Sequence, residues 1–386
     1  MRGFIGNTDY DWYRFLAAQP DVDEVNFWQP SGGGGRFVAL SPGEPFFFRL
    51  KSPHNAIAGF GYFASYSALP AWLAWESFGG TNGAADFDEM RARIERYRRR
   101  SGAADSGRPG DYAIGCIMVA SPVFFPQELW VREPADWAPN IVRGRGEDLT
   151  RGEGLRIFTE CLDRAQNLGA PVLVAESTAL RYGEPTLVKP RLGQGIFRVS
   201  VLDAYDRACA VTGEHSLPVL EAAHIMPYAD GGTHDVTNGL LLRSDIHRLF
   251  DLGYVTVTPE YRFKVSDALA EDFHNGRTYY AERDRRVVVP DVEWMRPSRE
   301  LLAWHGRACG GGSLKPADLQ SAGPGPPPAH VHSLVLGLVD EDESVARLAG
   351  RGQGVALRRC DLMPGAAAPG GRPLHTGRKR VSRGRA

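Results

Sequence analysis

The sequence predicts an α+β chain. An N-terminal mixed sheet or barrel with flanking helices comes first, then a compact unit of two strands and a helix, then a disordered tail. Three observations lead there. Short runs rich in aromatic and β-branched residues crowd the first third of the chain, as strands require. From Asp86 to Arg100, Phe87, Met90, Ile94 and Tyr97 share one helical face with arginines opposite. Beyond Gly310 the composition turns to Gly, Pro, Ala and Arg, as in Pro324-Gly-Pro-Pro-Pro-Ala329, which cannot build a core.

Taken in order, Asp11-Trp-Tyr-Arg-Phe-Leu16 reads as a short helix after polar Asn7-Thr8-Asp9. Val25 to Trp28, Arg36 to Leu40, Pro45 to Leu50 and Ala56 to Phe63 read as strands, the glycines of the last marking a bend or a close backbone approach. After the helix at 86–100, Ser101 to Pro109 is a loop and Tyr112 to Val119 returns to the sheet. Leu155, Phe158, Leu162 and Ala165 then define a closing helix. Val219 to Ile225 is a further strand, Tyr228 to Asp235 a turn-rich loop, and Leu240 to Leu242 a short buried strand. Ser244 is a suitable N-cap for a helix over Asp245 to Leu252 that stops at Gly253. Tyr254 to Thr258 and Tyr261 to Ser266 form a hairpin. The expected organisation is therefore a recognition domain at 1–165, a linker at 166–188, a second domain at 189–308 and a tail at 309–386.

Composition narrows the class. Hydrophobic residues at 43% suit a globular core, and no apolar run is long enough for a membrane helix. The N-terminus lacks the basic-then-apolar layout of a signal peptide, so a cytoplasmic protein with no membrane partner is expected. Cys116, Cys161, Cys209, Cys309 and Cys360 form no C-x-x-C pair, which argues against a disulfide framework or a zinc ribbon. Cys116, inside Ile114-Gly-Cys-Ile-Met-Val119, reads as a buried core residue. A net charge of −1 says nothing about nucleic acid, although the last residues carry Arg372, Arg378, Lys379, Arg380, Arg383 and Arg385 and no acid.

The chemistry concentrates in His224, Asn238 and His247, spaced 14 and then 9 positions apart. A histidine delivered by a strand end is a fit base near neutral pH. With such a base, a single divalent metal need only neutralise a phosphate and its leaving oxygen. Asn238 would bond across the loop and hold the strand that carries His224.

Cys209-Ala-Val-Thr-Gly213, Leu220-Glu-Ala-Ala-His-Ile225, Asn238-Gly-Leu-Leu-Leu242 and His247-Arg-Leu-Phe-Asp251 resemble the HNH endonuclease family, in particular bacterial restriction-type members. The resemblance covers roughly residues 190 to 306. It implies a ββα-metal fold, His224 as general base, Asn238 as support, His247 as metal ligand, and products with a 5′-phosphate and a 3′-hydroxyl. Many members carry an aspartate ligand directly before the base; here that position is Ala223, and Glu221, two residues away on the same strand face, is a candidate substitute. The metal expected is magnesium or manganese. No structural zinc is expected, because Glu214 stands where a partner of Cys209 would. His215 and His234 read as ordinary satisfied histidines, with contact to DNA or metal the alternative for His234.

The N-terminal unit is dense in aromatics. In Asn26-Phe-Trp28 and in Trp75-Glu-Ser-Phe-Gly-Gly-Thr-Asn82, Asn26, Trp28, Trp75 and Asn82 are candidates to cage a base rotated out of a duplex. Gly43-Glu-Pro-Phe-Phe-Phe-Arg-Leu50 with Ile57-Ala-Gly-Phe-Gly61 resembles the PUA superfamily, which includes the EVE, ASCH and SRA readers of modified bases. Together the two resemblances imply a modification-dependent restriction enzyme acting on double-stranded DNA. A homodimer is expected because two strands need two cuts. The alternatives are a sequence-specific mobile-element nuclease and a catalytically inactive DNA-binding regulator.

Overall fold

The computed structural model describes residues 1–31, 36–102, 110–170, 192–274 and 276–310. The expected linker core and tail, and most of the loop after Ser101, lie outside the described residues. A seven-stranded mixed sheet organises the N-terminal part. Its strands are β1 (Arg2–Thr8), β2 (Glu24–Gln29), β3 (Pro45–Leu50), β4 (Ala56–Pro70), β5 (Ala113–Phe124), β6 (Val131–Arg132) and β7 (Gly144–Asp148). They run in the order β2-β5-β4-β3-β1-β7, with β6 beside β4. Only β1 and β3 pair in parallel.

Two expectations change here. Residues 36–40 form no strand. β3 is already flanked by β1 and β4, so that segment has no ladder to join; it packs Phe37 against Phe4, Phe46 and Phe63 and buries Leu40 in the same core. Conversely β1 was not foreseen. Its alternation is broken by Gly3 and Gly6, and it becomes a strand because β3 and β7 complete its hydrogen bonds on both sides. β4 also runs past Phe63 to Pro70, with register shifts against β5 at Phe60/Tyr62 and Phe63/Ser65 that bend it.

Among the described residues four helices serve this sheet: α1 (Tyr10–Ala17), α2 (Ala71–Phe78), α3 (Phe87–Arg100) and α4 (Gly152–Asn167). α1 seats Trp12, Tyr13 and Leu16 on Phe46, Phe48 and Val119. α4 seats Ile157, Phe158, Cys161 and Leu162 on Ile5, Phe47 and Phe60. Cys116 is fully buried.

The C-terminal part contains α5 (Gln194–Ala204), β8 (Leu220–His224), β9 (Gly239–Arg243) and α6 (Ser244–Asp251). After it come the antiparallel hairpin β10 (Val255–Val257) and β11 (Phe263–Val265), then α7 (Ala268–Phe273), α8 (Arg277–Tyr280) and α9 (Arg299–Gly310). Ser244 is the first helical residue rather than the cap; Arg243 holds the extended cap conformation. One continuous core joins α2, α3 and β5 to α5, β8, β9 and α6.

α5 is part of that shared core. The buried Glu24 carboxylate of β2 accepts the N–H groups of Gly195 (2.6 Å) and Ile196 (2.8 Å), two of the unpaired donors at the α5 N-terminus. A side chain at Gly195 would collide with Phe78 and Glu24, so the close approach requires glycine. No helix among the described residues is long and apolar enough to cross a membrane.

Candidate active site

β8 and β9 pair antiparallel with His224 opposite Gly239 and Glu221 opposite Leu242. Leu240, Leu241, Leu242 and Ala223 are buried, which anchors both strands on α5 and α6 and leaves the strand ends to carry polar groups. Gly239 is needed at its position, because a side chain there would enter the space of Val201 and Phe197 on α5. That absence lets Phe197 lie flat under His224, with ring centroids 3.9 Å apart and planes 16° apart.

Asn238 is fully buried and works as a latch. Its Oδ1 accepts Met226 N–H at 2.9 Å, and its Nδ2 donates to Met226 C=O at 2.9 Å and to Thr233 C=O at 2.8 Å. Its own carbonyl accepts the N–H of Ile225. The loop after His224 is thereby tied down at both ends, and both polar atoms of the buried Asn238 amide find partners.

His247 sits on α6 with both ring nitrogens engaged. Nδ1 lies 2.6 Å from Glu221 Oε2, and Nε2 lies 3.5 Å from Asp251 Oδ1, one helical turn on. Burial works against the charged ring, but the two carboxylates outweigh it and raise the His247 pKa. Glu221 is held below the usual carboxylate range by its bond to His247, against burial. Asp251 is raised by burial, with His247 and Arg248 opposing. His224 differs: burial first, then the neighbouring His234 and His247, push it down to about 4.

The structure thus brings His224, Asn238, His247 and Glu221 onto one ββα unit, with His234 against His224 at 3.0 Å (Nδ1 to Nε2). Among the described residues no three His, Cys, Asp or Glu side chains converge as a ready metal cage. Two ligands do fit. His247 Nε2 and Asp251 Oδ1 lie 3.5 Å apart, against about 3 Å between neighbouring ligands of an octahedral cation, so a small side-chain adjustment would let them share one. Glu221 then holds the other ring nitrogen, the usual orienting partner of a ligating histidine. Magnesium and manganese keep several waters, so two protein ligands plus substrate oxygens suffice. Asp251 was missed in the sequence, although its i,i+4 spacing from His247 was visible. Cys209 uses its thiol to accept Arg243 N–H at 3.3 Å, and His215 Nδ1 contacts Arg207 C=O at 3.1 Å.

A separate feature lies in the N-terminal part. A cavity of about 350 Å³ is walled by Trp12, Phe27, Trp28 and Tyr97, with Asp9 and Lys51 set into it. Asp9 accepts from Lys51 Nζ at 2.5 Å and from Tyr97 Oη at 2.7 Å. The Asp9 charge outweighs burial and keeps Lys51 above its ordinary pKa, while burial and Asp9 raise Tyr97. Of the four residues proposed as a cage, only Trp28 lines this cavity. Asn26 and Asn82 are buried behind it, joined by a 2.9 Å hydrogen bond, and Asn82 C=O accepts the Trp28 indole N–H at 3.0 Å. Trp75 sits on α2 beside Phe87. The cavity's own polar group, Asp9–Lys51–Tyr97, had no motif to announce it.

Residues 209–258 match the family model described as HNH endonuclease. No curated protein matches the chain. Among solved structures, an ASCH protein of Zymomonas mobilis aligns at 10% identity and TM-score 0.25, covering 41% of this chain and 93% of that one. A mutant of the same protein aligns at 10% identity and TM-score 0.26, covering 41% and 96%. A structure described as modification-dependent TagI restriction endonuclease aligns at 12% identity and TM-score 0.23, covering 68% of this chain and 60% of that one.

Proposed function

We propose that this protein is a divalent-metal-dependent DNA endonuclease whose N-terminal cavity reads a base, so that cutting depends on base modification. The observation that carries the chemistry is the ββα unit itself. It sets a neutral imidazole, His224, beside a histidine–carboxylate group, His247 with Glu221 and Asp251.

His224 takes the proton of an attacking water. Its depressed pKa keeps the ring neutral in the free protein, and an anionic phosphate beside it raises its proton affinity in the complex. Phe197 fixes the ring plane, and the Asn238 latch fixes the strand end and the loop. His247 and Asp251 would hold a magnesium or manganese ion, oriented through Glu221; that ion would neutralise charge on the phosphate and the leaving oxygen. The products are a 5′-phosphate and a 3′-hydroxyl.

Base reading is supported by the cavity. Its volume falls within the range of small-ligand sites, and its aromatic walls suit a flat heterocycle taken from the stack. Lys51 has three donors and Asp9 two acceptor oxygens, so the group keeps capacity for a base edge beyond its internal bonds. Exposed Arg100 and Arg143 also line it and suit flanking phosphates. Two chains, one per strand, would complete a double-strand cut.

The test is cleavage by the full chain with magnesium or manganese, on duplexes that are unmodified or carry modified cytosines, comparing wild type with His224→Ala. The variant is expected to lose about 10²- to 10⁴-fold in rate while still binding DNA. Cleavage surviving in His224→Ala removes the base assignment. Equal cutting of all duplexes keeps the nuclease and removes modification dependence. No cutting by wild type on a broad panel favours a DNA-binding regulator.

A further inference from the structure

The hydrogen bond between His224 Nε2 and His234 Nδ1, 3.0 Å long, has a consequence for which atom acts as base. A bond between two neutral imidazoles has one donor and one acceptor. If the shared hydrogen belongs to His224 Nε2, then His224 Nδ1 is a bare lone pair. If it belongs to His234 Nδ1, neutral His224 carries its own hydrogen on Nδ1 and has no basic nitrogen free. His234 thus decides whether His224 can accept a proton.

His234 is itself firmly placed. Its ring lies parallel to Tyr228, with centroids 5.2 Å and planes 6° apart, and leans on Phe197 at 5.8 Å. Thr233, the residue before it, is one of the two anchored by Asn238. One asparagine therefore holds both imidazoles of the pair. The charged and titratable groups around His234 are His224, Tyr228 and Asp23. Burial lowers its pKa against the pull of Asp23, which favours a neutral ring able to accept.

Building on the nuclease reading, we propose that His234 is a positioning residue that accepts the His224 Nε2–H and so makes His224 Nδ1 the atom that deprotonates water. The water proton passes to Nδ1, and the oxygen electron pair forms the new bond to phosphorus. The bond from phosphorus to the 3′ oxygen breaks, and that oxygen takes a proton from solvent. The positive charge left on His224 strengthens the Nε2–H bond to His234, a charge-assisted contact.

Two full-chain variants separate this role from packing. His234→Phe keeps a ring between Tyr228 and Phe197 but removes the acceptor; kcat is expected to fall about 10²-fold with KM for DNA unchanged. His234→Asn offers its amide oxygen near the Nδ1 position and is expected to stay within about tenfold of wild type. Nitrogen-15 NMR of histidine-labelled wild type, without DNA, should show His224 protonated on Nε2 and bare on Nδ1, and His234→Phe should give a tautomer mixture. An Nδ1–H tautomer in wild type, an unchanged kcat in His234→Phe, or equal losses in both variants overturns the proposal. The NMR result reads the tautomer even if wild type cuts no DNA, so failure of the nuclease reading is recognised separately.

Discussion

The cavity walled by β2 and α3 and the histidine site on β8, β9 and α6 are built in opposite ways. Cavity contacts span large sequence distances: Lys51 to Asp9 is 42 positions, Tyr97 to Asp9 is 88, and Asn7 to Ile141 is 134. In the histidine site the separations are 10 for His224 and His234, 12 for Asn238 and Met226, and 26 for His247 and Glu221. A binding shape needs walls from many elements, whereas a proton acceptor and a cation holder need only a few donors at short range. On the proposed reading, chemistry is carried by a small local unit, while selection draws on a whole sheet. α5 joins the two, because Glu24 of β2 caps the helix whose Phe197 underlies His224.

The largest expected effect tests that junction. Burial pushes Glu24 up to about 7, against the N–H groups of Ile196 and Gly195. The folded state therefore holds this proton more tightly than the unfolded chain, whose carboxyl titrates near 4.5. The associated stability is fully present below about pH 4.5 and is lost as pH rises through about 7, by roughly 3 kcal/mol. Denaturant unfolding should show wild type losing about this much stability relative to Glu24→Gln as pH rises from about 4.5 to 7. Identical pH profiles would detach the two regions.

A smaller effect is expected within the local unit. Asn238→Ala leaves the Met226 and Thr233 groups without their partner and should cost about 2 kcal/mol in unfolding experiments, with a loss of cleavage rate. An unaltered rate would mean that the two strands hold His224 without the latch.

The smallest falls on the cavity. On the base-reading proposal, Trp28→Ala removes a wall whose stacking would be worth about 1 to 3 kcal/mol, so a preference for modified over plain duplex should drop roughly tenfold. Cleavage of plain duplex should not change. A parallel fall on both substrates would merge the two regions into one DNA-binding surface and blunt the contrast drawn above.

By itself the sequence determined the α+β class, the helices α1, α3, α4 and α6, the strands flanking His224, and the spacing of His224, Asn238 and His247. Short separations and alternating burial make such units self-announcing. Glu221 was visible through strand periodicity, and Asp251 was visible in spacing but went unread. Only the tertiary structure decided that β1 is a strand, that Arg36 to Leu40 is not, and that Asp9, Lys51 and Tyr97 meet in one cavity. It alone seated Phe197 under His224 and put Glu24 at the start of α5. The physical reason is that these features depend on which partners remain unpaired after the sheet has formed, and strand order across a mixed sheet is not written in any one segment's periodicity.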